Sequence, residues 1–69
     1  MVRVFTTNIK HPTEAGFLVK VILATYPHHR VNFDLEDCDK ILRIEGYDFN
    51  SDSVVNILKK NGYECSEIY

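Results

Sequence analysis

Cysteine, glycine and tryptophan are scarce in this 69-residue chain, which holds two cysteines, three glycines and no tryptophan. Cys38 and Cys65 stand far apart and neither has a second cysteine close by, so the paired-thiol motif of soft-metal and redox sites is missing. Reduced thiols and a cytoplasmic location are the expectation for such a chain. The dispersed glycines form no phosphate-cradling loop, and no nucleophile stands in a recognisable arrangement with a base or a carboxylate pair. The sequence therefore reads as non-enzymatic.

Charge of one sign is also lacking. Eight basic residues face ten acidic ones, for a net charge of −2, and apart from the pair Lys59-Lys60 the lysines and arginines are scattered singly. Without a basic stripe to neutralise successive phosphates, nucleic acid is not an expected partner. The longest apolar run, Phe17 to Ala24, is interrupted by Lys20 and falls far short of the roughly 20 residues of a membrane span. The chain opens on a strand-like Val2-Arg3-Val4-Phe5 where a signal peptide would show a basic and then an apolar segment. Neither membrane insertion nor secretion is expected.

What the chain does have is ordinary globular composition, 45% hydrophobic and 26% charged. That suits a single folded domain over residues 1–69, whose small core buries only about 60% of the unfolded surface. Val2 to Thr7 is β-branched and aromatic, favouring a strand. Pro12 and Glu14 open a helix in which Phe17, Leu18, Val21 and Ile22 recur at helical spacing, and Pro27 ends it. Arg30 to Glu36 alternates, with Val31, Phe33 and Leu35 on one face. Glu36-Asp37-Cys38-Asp39 turns the chain, and Lys40 to Glu45 returns as a second strand of a hairpin with Leu42 and Ile44 inward. Asn50 and Ser51 cap a second helix carrying Val54, Ile57 and Leu58, stopped by Lys59-Lys60-Asn61-Gly62. Tyr63 to Ile68 completes a last strand, with Tyr63 and Cys65 inward.

The order strand, helix, strand, strand, helix, strand defines an α+β chain. It folds as a ferredoxin-like split βαβ (βαββαβ) unit, with two helices on one face of a four-stranded antiparallel sheet. In the segments Phe5-Thr6-Thr7-Asn8-Ile9-Lys10, Val19-Lys20-Val21, Leu35 to Leu42 and Asn61-Gly62-Tyr63-Glu64-Cys65, the chain resembles the heavy-metal-associated domain family over nearly its whole length. That resemblance implies a metal loop after the first strand, where the family carries two cysteines that hold Cu(I) or another soft ion. Here the loop reads Lys10-His11-Pro12-Thr13-Glu14-Ala15-Gly16, with His11 as the positional counterpart of the first cysteine. The resemblance also places Tyr63 and Lys60 near this loop.

The topology puts His11, Cys38 and Tyr63 at one pole and His28 and His29 at the other. His11 and Cys38 are the candidate metal ligands, for Cu(I) or Zn(II), although the residues alone read His11 as an exposed helix-start residue and Cys38 as a passive surface thiol. No resident cofactor is expected. His28 and His29 read as a solvated loop, and Cys65 as a small core residue. The uncovered sheet face is expected to present Val2, Val4, Ile41 and Ile68, an apolar set suited to a protein partner or a homodimer. It holds no aromatic residue on which an RNA base could stack. The sequence thus points first to a binding module that has lost its thiolate site, and second to a soft-metal carrier with a non-standard site near His11.

Overall fold

The computed structural model describes residues 1–68. In chain order they form β1 (Val2–Thr7), α1 (Pro12–Thr25), β2 (Arg30–Asp34), β3 (Ile41–Glu45), α2 (Ser51–Lys60) and β4 (Cys65–Glu67). All pairings are antiparallel in the order β2-β3-β1-β4, giving the expected α+β, ferredoxin-like fold.

Local chemistry explains the element boundaries. Pro12 occupies the first turn of α1, where its missing N–H is no loss. Asn50 caps α2 by accepting from the Asp52 N–H at 2.8 Å, and Lys59 and Lys60 lie at its negative end. The helix closes in a Schellman motif: Gly62, at φ 90°, donates to the Lys59 carbonyl and Tyr63 to that of Leu58, both at 3.0 Å. This closure holds Tyr63 in the helix exit, so β4 starts at Cys65 rather than at Tyr63. Likewise β2 stops at Asp34, because Leu35 to Asp39 are all taken up by the turn.

Both helices cover the sheet face that carries Phe5, Leu42, Ile44 and Cys65. With Ile9, Leu18, Ile22, Val54 and Leu58 these form the core. Alternation also puts Arg3 and Glu67 on this covered face, where they pair at 3.1 Å at the margin of the core, both still partly solvated.

Two bonds set the phase of the ladder. Ile68 N donates to the Val4 carbonyl at 2.8 Å and Gly46 N to that of Met1 at 2.9 Å. Val4 therefore turns its backbone groups toward β4, and Arg3 and Phe5 turn theirs toward β3. Carried through the register, Ile41, Arg43 and Glu45 bond to Asp34, Asn32 and Arg30. The N–H and C=O groups of Val31 and Phe33 are left pointing outward from the β2 edge.

Candidate functional site

One pole gathers the loop after β1, the β2–β3 turn and the segment before β4. Thr7 ties the first two together: its N–H donates to the Asp39 carbonyl at 3.1 Å and its hydroxyl to the Lys40 carbonyl at 2.6 Å. The same hydroxyl accepts from the Ile9 N–H at 3.2 Å. Asn8 Oδ1 accepts from Glu64 N–H at 2.9 Å, and the Tyr63 hydroxyl donates to Glu14 Oε2 at 3.1 Å. Loss of hydration raises the Tyr63 phenol above its ordinary range, and the bonded, negatively charged Glu14 pushes the same way.

Within this pole the two candidate ligands are both exposed. His11 is the residue before α1. It accepts from Ala15 N–H through its carbonyl at 3.1 Å, and its imidazole makes no capping bond. Cys38 sits at the turn with Asp37 and Asp39. Among the described residues these three form the one group of three possible ligands with donor atoms within 4.8 Å of one another, and His11 is not in it. Asp37 Oδ1 already accepts from the Asp39 N–H at 2.8 Å, an Asx-type turn that explains the acidic run as local structure. Lys60, in the last turn of α2 three residues before Tyr63, lines a groove along that helix with Asn56 and Ile57.

The uncovered face carries Val2, Val4, Ile41 and Ile68 as the alternation requires. Val2 is 54% exposed. Val4 lies two residues along and directly opposite Ile68, joined to it by the backbone bond, and both are half-buried. Ile41 departs from expectation, being only 7% exposed, and does not belong to an available patch. It stands on a central strand opposite Asp34, and Arg43 reaches diagonally past it to the Asp34 carboxylate at 3.8 Å. The accessible apolar strip is thus Val2, Val4 and Ile68, flanked by Arg43 and Glu45.

At the opposite pole His28 is exposed, but His29 corrects the reading of a solvated loop. Its ring packs between Tyr26 and Phe49, at centroid distances of 5.1 and 5.3 Å. Its Nε2 donates to the Tyr47 carbonyl at 2.7 Å, while Nδ1 is buried and finds no partner among the described residues. This packing joins the loop before β2 to the loop after β3. Cys38 is a free exposed thiol, and Cys65 is a free thiol buried in the core. Burial pushes the Cys65 thiol up to about 11, with Lys59 opposing and Glu67 adding to the shift.

Compared with protein-family models, with curated proteins and with solved structures, the chain matches none.

Proposed function

We propose that this chain is a non-enzymatic interaction module, a heavy-metal-associated-like domain without the thiolate pair, which meets a protein partner through the open face of its sheet. The observation that carries this reading is the adjacency of Val2, Val4 and Ile68 on that face, a solvent-facing apolar strip bordered by charges of both signs. Such strips are what partner surfaces are built from. The first loop argues in the same direction, since His11 is its only nitrogen or sulfur ligand for a soft ion. A reduced cytoplasmic setting fits two unpaired thiols.

The alternative, a Cu(I) or Zn(II) carrier using His11 and Cys38, is decided by an anaerobic titration of the reduced chain against a competing chelator, read by backbone amide shifts. The expected result is no saturable binding of either ion. Saturable binding with shifts centred on His11, Cys38 and Tyr63 would replace the interaction reading with the carrier reading.

A further inference from the structure

The β2 edge of the sheet is left open in a form that fits a second copy of itself. Among the described residues, the outward N–H and C=O groups of Val31 and Phe33 have no hydrogen-bond partner. Natural edges are usually blunted by lysine, proline or a bulge. This strand reads Arg30-Val31-Asn32-Phe33-Asp34 and pairs with β3 in unbroken register, so it has no lysine, proline or bulge, and its two charges, Arg30 and Asp34, are of opposite sign and stand at its two ends.

From these features we propose that two chains associate by antiparallel β2–β2 pairing about a two-fold axis at Asn32, joining their sheets into one of eight strands. In that register Val31 faces Phe33 of the second copy, and Phe33 faces its Val31. These are the residues whose backbone groups point outward, so every free donor and acceptor on the edge finds a partner. Arg30 then stands opposite Asp34 of the second copy, and Asp34 opposite its Arg30, on the uncovered face. Those positions fall between the hydrogen-bonded pairs, where side chains approach most closely. A shift of the register by two residues would lose both charge pairs. Asp34 is free to take a second cation, because its contact with Arg43 is long and solvated.

The covered side is compatible. Val31 and Phe33 are only partly buried, and pairing puts each against the other's counterpart. α1 packs over β2, and its flank opposite Glu14 carries Val19 and Leu23, half-buried and outside the core. Edge pairing brings those flanks of the two copies toward each other. The inference goes beyond the open-face reading, since it uses the rim of the sheet and leaves Val2, Val4 and Ile68 uncovered.

An edge this short buries less than the roughly 1,000 Å² of a stable complex, so the dimer is weak, with Kd on the order of 0.1–1 mM. The test is sedimentation equilibrium of the full chain up to about 2 mM, with amide shifts recorded over the same range. A concentration-dependent dimer is expected, with shifts and slowed exchange at the Val31 and Phe33 amides. Arg30→Asp or Asp34→Arg alone sets like charges opposite each other twice and should weaken self-association about tenfold or more. Mixing the two variants pairs unlike charges at both positions and should restore a heterodimer, as should both substitutions in one chain. Circular dichroism of each variant separates loss of association from loss of folding. A wild-type monomer at the highest concentration overturns the proposal. So does a dimer indifferent to the charge reversals, or one whose shifts fall on Val2, Val4 and Ile68, which would place self-association on the open face.

Discussion

The imidazole of His29 lies against Gly46 so closely that a β-carbon at position 46 would overlap its Cδ2 atom. The ring cannot easily retreat, because it is held between Tyr26 and Phe49 and bonded to the Tyr47 carbonyl. Gly46→Ala is therefore expected to destabilise the fold by about 1–3 kcal/mol, the usual range for overpacking. In a urea-denaturation double-mutant cycle, His29→Ala should recover part of that loss. A fully additive cycle would mean that the ring is not the obstacle.

Leu58 is fully buried in α2 and is also the carbonyl that receives Tyr63 in the helix closure. Leu58→Ala should cost about 2–5 kcal/mol through the cavity it leaves. Urea titration measures this directly, and a change below about 0.5 kcal/mol, the scale of an ordinary surface substitution, would place Leu58 outside the core.

Removing the side-chain acceptor at the start of α2 with Asn50→Ala should cost about 0.5–2 kcal/mol. Asn50→Asp keeps an acceptor for the Asp52 N–H and should recover most of it. Thermal denaturation of the two variants checks the order.

The two thiols should behave oppositely. In the native chain at neutral pH a thiol reagent should modify the exposed Cys38 in the folded state and the buried Cys65 only after unfolding. Because the Cys65 thiol titrates higher in the folded chain than when unfolded, its contribution to stability is complete below the ordinary thiol range and is lost as pH rises toward about 11. Stability measured across that alkaline window should fall less steeply in Cys65→Ala. The double variant Cys38→Ser, Cys65→Ala should still unfold cooperatively, since neither thiol organises the structure.

Most of the fold was legible because it rests on local pattern. Alternation marked Phe33, Leu42 and Ile44 as inward, Asn50 and Gly62 marked the limits of α2, and turn chemistry separated β2 from β3. The features that escaped depend on contacts between distant segments. Nothing near His29 in the chain indicates that Phe49 will pack against it and the Tyr47 carbonyl bond it, since both lie beyond a whole hairpin. Ile41 followed its alternation but not its expected exposure: it stands on a central strand and is only 7% exposed. A pair of apolar neighbours such as Tyr26 and Phe49, flanking two strands joined by one hairpin, was the available signal for the His29 cluster.

The bond from Ile68 N to the Val4 carbonyl, with that from Gly46 N to Met1, also fixes where the chain enters and leaves the sheet. Entry at Met1 and exit at Ile68, which stands opposite Val4, lie on adjacent strands whose ends both point to the His29 pole, while His11, Cys38 and Tyr63 occupy the far one. Sequence grafted at either place would leave in the same direction from neighbouring strands. The domain should therefore tolerate insertion into a surface loop of a host protein, held by its base with its opposite pole facing outward.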